Sequence, residues 1–189
     1  VKVAISGSVL ALRGAWASSD KGATWLKLTN SSYYAILYTE FTNLVRYAGT
    51  GGLFYTFTVE DVFVTGVTLG GSDILGVEEY PETGDILYLQ GDELHRKDFA
   101  FDATSDVTEI THGSSTFRCI LRLTSNRILA GLADGVMYYS DDGGLNWSTA
   151  TTTLTGGAFS LTQGLDGIVY AGGASKIWAS YNGGDIWVH

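Results

Sequence analysis

Cysteine, proline and positive charge are all scarce in this chain of 189 residues. The single cysteine, Cys119, excludes an internal disulfide framework and a metal site built from several cysteines. Lys and Arg number 11 against 20 Asp and Glu, which gives a net charge of −9. Because phosphate groups are bound by clustered cations, neither nucleic acid nor an anionic membrane surface is expected as a partner.

Long hydrophobic runs and helical periodicity are missing as well. No segment reaches the roughly 18 apolar residues that a membrane span needs, so membrane insertion is not expected. The stretch from Val1 to Ser6 has no basic region ahead of a long apolar run, and no signal peptide is visible there. Hydrophobic residues still make up 45% and aromatics 13% of the chain, too much for a disordered protein.

Glycine is abundant, with 25 residues against one proline. Glycine is costly inside helices and suits tight turns, whereas the many Val, Thr, Tyr and Trp residues favour strands. Short apolar runs are separated by turn residues at intervals of about 8–12 positions, which indicates consecutive antiparallel strands. The composition and spacing therefore predict an all-β protein.

Three segments share the pattern Ser-x-(Asp/Asn)-x-Gly-x-x-Trp, namely residues 18–25, 140–147 and 180–187. Trp147 and Trp187 are 40 residues apart, and Trp25 precedes Trp147 by 122 residues, close to three further steps of that length. The period predicts one domain over residues 1–189, with repeats of about 40 residues. The repeats are predicted to end near residues 25, 65, 106, 147 and 187.

Four short strands in about 40 residues match the size of a β-propeller blade. A single blade cannot bury both of its faces, so such repeats stack around an axis. We therefore predict a β-propeller of about five four-stranded blades, either a complete small propeller or part of a larger one. Only Val188 and His189 follow Trp187, and the alternating residues from Val1 to Ile5 are candidates for a strand that completes the last blade.

The repeated segment resembles the Asp-box, or BNR repeat, whose pattern is Ser-x-Asp-x-Gly-x-Thr-Trp. Residues 18–25 match it fully, residues 140–147 depart at Asn146, and residues 180–187 depart at Asn182 and Ile186. The resemblance implies a hairpin turn at the outer edge of a blade. In such a turn the Asp or Asn side chain accepts backbone N–H groups, glycine permits a positive φ, and tryptophan packs over the turn. The residues predicted to hold these turns are Ser18, Asp20, Gly22, Thr24, Trp25, Ser140, Asp142, Gly144, Trp147, Ser180, Asn182, Gly184 and Trp187.

An aromatic residue lies two positions before the serine of each repeated segment: Trp16, Tyr138 and Trp178. Its recurrence at one position of the repeat predicts packing between blades rather than a platform for a sugar.

Sialidases also carry Asp-boxes, and a sialidase-like site implies three arginines on one carboxylate, a Tyr–Glu pair and an acidic proton donor. Arg118 follows Phe117 as in the family's Phe-Arg-Ile-Pro element, but Cys119 and Ile120 come next. The richest acidic stretch is interpreted as a solvated loop. It contains Glu78, Glu79, Glu82, Asp85, Asp92 and Glu93. No catalytic residue is assigned.

Metal and cofactor signatures are weak. His95, His112 and His189 are far apart and lack a second ligand at close spacing, so neither a metal nor a cofactor is expected. Cys119 has no obvious histidine partner and is expected to be a buried, inert thiol.

These observations favour a non-enzymatic propeller that serves as a scaffold or binding module. Similar Asp-box modules occur in bacteriophage tails and among carbohydrate-binding propellers. The resemblance thus implies a virion or extracellular location, with other subunits of an assembly or surface glycan as partners. A sialidase-like glycoside hydrolase and a propeller-type assembly factor are the alternatives. No ligand-binding residue is identified, and the segments Tyr33–Tyr34 and Glu78–Asp85 are predicted to be exposed loop tips.

Overall fold

The structure is a computed structural model. It describes residues 71–80, 82–98 and 107–189 throughout. Earlier in the chain it describes Ala23, Thr24, a short 3₁₀ turn at Thr50–Gly52 and the strands named below. No helix in these parts of the chain is long and apolar enough to cross a membrane.

The described strands form five antiparallel sheets, and within each sheet the strands are hydrogen-bonded in chain order. The first sheet contains β1 (Lys2–Val3), β2 (Val9–Ala11), β3 (Trp16–Ser18) and β4 (Leu26–Lys27). The second contains β5 (Tyr33–Thr39), β6 (Leu44–Gly49), β7 (Leu53–Thr58) and β8 (Thr65–Thr68). The third contains β9 (Ile74–Tyr80), β10 (Asp85–Gln90), β11 (Glu93–Lys97) and β12 (Val107–Thr111). The fourth contains β13 (Phe117–Arg122), β14 (Ile128–Leu132), β15 (Met137–Ser140) and β16 (Ser148–Thr149). The fifth contains β17 (Ser160–Gln163), β18 (Val169–Gly172) and β19 (Ile177–Ser180).

The first strands of sheets two to five contact one another in chain order, β5 with β9, β9 with β13, and β13 with β17. The sheets are therefore stacked face to face with their first strands at a common inner edge. This is the blade arrangement that the 40-residue period predicts, and the prediction of an all-β propeller is confirmed.

Apolar side chains fill the space between successive sheets. Leu87 and Leu89 of the third sheet form one buried cluster with Ile128 and Ala130 of the fourth. Because side chains alternate along a strand, Leu129 points the other way and belongs to the cluster shared with the fifth sheet. Every residue of β14 is buried, since both faces of its sheet are covered.

The N-terminal end of the strand order differs from expectation. Lys2–Val3 pairs with Val9–Ala11 in the first sheet, so the prediction that the N-terminal strand completes the last sheet is wrong. The last sheet has three strands rather than four. Its outer edge carries one bridge, in which Ala179 and Val188 exchange N–H···O bonds of 2.8 and 2.9 Å. This bridge lies where the other sheets have their fourth strand.

Candidate functional site

The turn of residues 140–147 joins β15 to β16 and is closed by its own side chains. Ser140 Oγ donates to Asp142 Oδ1 at 2.8 Å and accepts the Gly144 N–H at 2.8 Å. Asp142 Oδ1 also accepts the backbone N–H of Asn146 at 2.8 Å, and Oδ2 accepts that residue's side-chain amide at 2.6 Å. Trp147 Nε1 donates to the Gly144 carbonyl at 2.9 Å. The structure thus brings these residues together as one hydrogen-bonded unit.

The same donors set the protonation of Asp142. The side-chain amide of Asn146, followed by its backbone N–H, lowers the pKa of the Asp142 carboxyl below its usual range. Hydrogen bonds to the ionised form stabilise that form. Asp142 is therefore suited to accepting hydrogen bonds and unsuited to donating a proton near neutral pH.

The turn of residues 180–187 repeats this network with an amide in place of the carboxylate. Ser180 Oγ donates to Asn182 Oδ1 at 2.9 Å and accepts the Gly184 N–H at 2.8 Å. Asn182 Oδ1 accepts the Ile186 N–H at 2.9 Å, and Trp187 Nε1 donates to the Gly184 carbonyl at 2.8 Å. The turn needs an acceptor oxygen at this position, and a negative charge is not required.

Glycine is needed in both turns for two reasons. Gly144 and Gly184 have φ angles of 92° and 94°, a region that L side chains rarely adopt. A Cβ at Gly144 would lie 2.9 Å from Leu87 Cδ2, and one at Gly184 would lie 2.6 Å from Leu129 Cδ1. Each turn thus packs against a leucine in the second strand of the preceding sheet.

The first copy of the motif, residues 18–25, lies mostly outside the described residues. Ser18 is the last residue of β3, and Thr24 is exposed. The predicted roles of Ser18, Asp20, Gly22, Thr24 and Trp25 stay predictions.

Arg127 links the two described turns, although it lies outside the motif. Its Nε and Nη2 donate to the two carboxylate oxygens of Asp141 at 2.6 and 2.8 Å. Its Nη1 donates to the Gly183 carbonyl at 3.3 Å, and its guanidinium carbon lies 4.5 Å from the centre of the Tyr139 ring. Only the acidic residue at a variable position of the motif, Asp141, hinted at such a partner.

The recurring aromatic side chains pack between sheets, as predicted for Tyr138 and Trp178. Tyr138 contacts the cluster between the third and fourth sheets, and its ring centre lies 6.0 Å from that of Phe117. Trp178 is buried between the fourth and fifth sheets. The side chain of Trp16 lies outside the described residues.

His112 bridges the third and fourth sheets. Its Nδ1 lies 3.0 Å from Tyr138 Oη, and its Nε2 lies 3.1 Å from Asp134 Oδ2. His112 follows β12, whereas Asp134 lies in the β14–β15 turn, so this chain of polar contacts fastens adjacent sheets.

The acidic stretch is not the solvated loop that was predicted. Glu78 and Glu79 are 8% and 1% exposed, because they belong to inner strand β9, which neighbouring sheets cover. They lie on opposite faces of the sheet, since Glu78 pairs with Leu87 and Glu79 with Ile86. These two carboxylates therefore do not converge on one point.

The other acidic residues of that stretch are spread over the third sheet. Tyr80 Oη donates to the exposed Glu82 at 2.7 Å, at the start of the 82–84 turn. Asp85 accepts a hydrogen bond from Arg96 at 3.3 Å, while Asp92 and Glu93 lie at the turn between β10 and β11. The predicted loop tip Tyr33–Tyr34 is also wrong, because both residues begin β5.

Cys119 is buried, as expected. Burial raises its pKa to about 12, and Sγ donates to the Ala158 carbonyl at 3.4 Å. Over the described part of the chain, no group of three or more His, Cys, Asp or Glu residues is placed to hold a metal ion.

One face of the fifth sheet stands out because nothing in the described part of the chain covers it. The opposite face, with Leu161, Ala171 and Trp178, packs against the fourth sheet. Ile177, at 73% exposure, is the most exposed apolar residue of the uncovered face. An open, mainly apolar depression of about 470 Å³ lies at this face. We call this uncovered face of the fifth sheet the open face. It comprises Ser160, Thr162, Tyr170, Gly172, Ile177 and Ala179.

The equivalent face of the fourth sheet is buried. There Gly131 pairs with Met137 as Gly172 pairs with Ile177, and Leu129 pairs with Tyr139 as Tyr170 pairs with Ala179. Met137 is 1% and Leu129 0% exposed, because the fifth sheet lies on them. The open face is therefore an inter-sheet contact surface on which none of the described sheets lies.

No protein-family model matches the sequence, and no curated protein sequence matches it. The solved structures supply the comparison. An extracellular domain assigned to a one-component system of B. thetaiotaomicron superimposes with a TM-score of 0.72 at 11% identity, over 92% of this chain and 26% of that one. The WD40 β-propeller domain of Doa1 gives 0.70 at 14% identity, over 92% of this chain and 60% of that one.

A chain of the mitotic checkpoint complex gives a TM-score of 0.66 at 13% identity, over 94% of this chain and 57% of that one. The present chain therefore spans from about a quarter to about three-fifths of the length of these three structures. At such low identity the likenesses establish the fold alone. Together with the stacked antiparallel sheets, they identify the chain as a β-propeller.

Proposed function

We propose that this chain is a non-enzymatic propeller module that works by binding another protein in an assembly. The observation that carries the proposal is the open face. Ile177 is 73% exposed at a position where the preceding sheet has the buried Met137. A face that is buried in one sheet and exposed at the same positions of the next is suited to contact, because its burial by a partner removes apolar area from water.

The polar groups of the described residues support the non-enzymatic part of the proposal. Asp142 and Arg127 hold the motif turns, and His112 fastens two sheets. A glycoside hydrolase needs two carboxylates facing each other across about 5–10 Å. Glu78 and Glu79 point to opposite faces of their sheet and do not form such a pair.

The comparisons fit a protein partner. One matching chain belongs to a complex of several proteins, the mitotic checkpoint complex, and another is a WD40 domain. A virion or extracellular setting, with surface glycan as a further ligand, is the more specific proposal that the Asp-box resemblance supports.

A photo-crosslinking amino acid at position 177, in the full-length protein in its native host, tests the proposal. After irradiation we expect mass spectrometry to find a peptide of a protein, either another chain or a second copy, joined to residue 177. Position 165 provides the matched control, because Leu165 lies fully exposed in the turn of the same sheet. Equal capture at both positions, or none at 177, would contradict binding at the open face.

Two further measurements address the alternatives. A panel of chromogenic glycosides is expected to show no turnover, and turnover that is lost on Glu→Gln substitution would overturn the non-enzymatic assignment. A glycan array tests the more specific proposal, and selective binding there would add glycan to the ligands.

A further inference from the structure

We propose that Asn182 is a site of spontaneous covalent modification, at which the Gly183 nitrogen closes a ring on the side-chain amide and water then opens that ring to aspartate. The reaction needs neither a partner nor an enzyme, so its test is separate from that of the proposed function. Asn182 is the only asparagine in the sequence that a glycine follows.

The attacking group is the main-chain nitrogen of Gly183. Glycine has no side chain that could shield this nitrogen. Among the described residues nothing accepts a hydrogen bond from the Gly183 N–H, whereas the Gly183 carbonyl accepts one from Arg127. Asn182 is exposed, so water and base have access to the reacting atoms. The nucleophile is therefore not tied to an acceptor and can lose its proton to solvent.

The turn polarises the carbonyl that is attacked. Asn182 Oδ1 accepts the Ser180 hydroxyl and the Ile186 N–H, each at 2.9 Å. When the Gly183 nitrogen adds to Cγ, negative charge develops on Oδ1, and donors already placed at hydrogen-bond distance stabilise that charge. Over the described part of the chain no group accepts a hydrogen bond from Nδ2, the nitrogen that departs as ammonia.

Two other asparagines in the described ranges, Asn126 and Asn146, are also exposed and serve as a comparison. A large side chain follows each of them in the sequence. Asn146 donates its side-chain nitrogen to Asp142 Oδ2 at 2.6 Å, which retains the leaving group. Asn126 Oδ1 accepts one hydrogen bond, of 3.4 Å, from Arg122 Nη1. Of these three residues, Asn182 alone combines an unshielded nucleophile, a polarised carbonyl and an unbound leaving group.

The atoms balance with water as the other reactant. The Gly183 nitrogen gives up its proton and bonds to Cγ, the bond from Cγ to Nδ2 breaks, and ammonia leaves. Water then adds to one of the two ring carbonyls. Addition at Cγ gives aspartate, whereas addition at the main-chain carbonyl of Asn182 gives isoaspartate. Because Ser180 and Ile186 donate to Oδ1, the folded turn favours addition at Cγ.

The fourth sheet shows that aspartate fits this turn. Asp142 occupies the equivalent position and accepts the corresponding serine hydroxyl and main-chain N–H, each at 2.8 Å. Aspartate formed from Asn182 therefore keeps the shape of the turn and adds one negative charge to it. Isoaspartate adds a methylene to the main chain of the turn and would displace the Gly184 N–H from Ser180 Oγ, which it now reaches at 2.8 Å.

Peptide mapping by mass spectrometry, on the full chain incubated in its folded state at mildly alkaline pH, tests the inference. We expect the original mass to be lost at Asn182 while Asn126 and Asn146 stay intact, with one ammonia released for each converted chain. Asn182→Asp supplies the authentic product, with which the converted chain should coelute in ion-exchange chromatography. An intact Asn182, or equal conversion at the three asparagines, would overturn the inference.

The share of isoaspartate separates a reaction in the folded turn from one that follows unfolding. The same chain unfolded in guanidinium chloride lacks the two donors on Oδ1 and serves as the reference. We expect a smaller isoaspartate share in the folded chain, measured by enzymatic methylation of isoaspartate in the digested samples. An equal share in both states would mean that the turn takes no part in the reaction, and the inference would be wrong.

Discussion

The fourth and fifth sheets share one plan and differ in what covers them. Their motif turns have the same hydrogen bonds, from Ser140 to Asp142 and from Ser180 to Asn182. The open face and the equivalent face of the fourth sheet have the same strand pairing. Met137 of the fourth sheet is nevertheless 1% exposed, whereas Ile177 of the open face is 73% exposed. The comparison shows that the turn is set by local chemistry, whereas burial of the face depends on the next sheet.

The two turns also separate charge from geometry. Asp142 and Asn182 accept the same backbone N–H, that of the residue four positions on, at 2.8 and 2.9 Å. Only the first can titrate. The pair is therefore a natural control for what the carboxylate adds to a turn whose shape does not depend on it.

The largest expected difference is in the free energy of unfolding, between a substitution on the equivalent face of the fourth sheet and one on the open face. Met137→Lys should lower the free energy of unfolding by about 4–5 kcal/mol, because it buries an ammonium group between two sheets. Ile177→Lys should change it by less than about 0.5 kcal/mol, because the side chain is exposed. Urea denaturation of both variants measures the difference. Equal losses would mean that the chain itself covers the open face.

The two tryptophans should also differ. Trp187 is 3% exposed within the cluster between the last two sheets, whereas Trp147 is only partly buried. We expect Trp187→Ala to cost about 3–4 kcal/mol. Trp147→Ala should cost about 1 kcal/mol less, because it removes less buried area. Thermal and urea unfolding give the ranking, and the reverse order would contradict the assigned burial.

Two glycine substitutions separate the stability cost of backbone strain from the cost of a clash with the leucine of the preceding sheet. Gly167 has a φ of 82°, and a Cβ added there would meet no other atom within 4 Å. Gly167→Ala should therefore cost about 1 kcal/mol from backbone strain alone. Gly184→Ala adds the contact with Leu129 and should cost about 1–2 kcal/mol more. If both variants lost equal stability in urea, the turn at Gly184 would not be in close contact with Leu129.

The smallest expected effect is the pH dependence of stability that Asp142 contributes. Its pKa is lowered in the folded protein by the amide and N–H of Asn146, so the carboxylate adds stability above the unfolded Asp pKa of about 3.9. That contribution is lost as the pH falls through the lower, folded value. Asp142→Asn should therefore reduce the loss of stability on acidification.

Asn182→Asp provides the reciprocal variant. It should introduce a weaker dependence in the same pH range, because Ile186 offers a backbone N–H but no side-chain amide. Urea unfolding between about pH 5 and pH 2 measures both changes. Identical profiles for Asp142→Asn and wild type would rule out a role for the carboxylate charge.

The repeating parts of the fold were predictable from the sequence. The spacing of Trp147 and Trp187 and the apolar runs located the strands of the fourth and fifth sheets, because period-2 strands and glycine turns leave local signals. The residues grouped at each described turn were also named from the motif. Arg127 was missed because its partners lie 14 and 56 residues away.

The sequence-based prediction was wrong where burial depends on sheets formed by distant parts of the chain. Glu78 and Glu79 have the composition of a solvated loop, but they lie in an inner strand between two sheets. Acidic composition predicts exposure only when no other element covers the strand. The residues near the strand do not indicate which other sheets pack on it.

The amino-acid sequence alone determined the all-β character, the 40-residue period and the position of the motif turns, because these follow from short-range hydrogen bonding and backbone preference. Tertiary structure decided that Met137 is buried and Ile177 is exposed, and that each described turn rests on a leucine of the sheet before it. These outcomes depend on which sheets meet, and apolar surface is removed from water only where a second sheet lies against it.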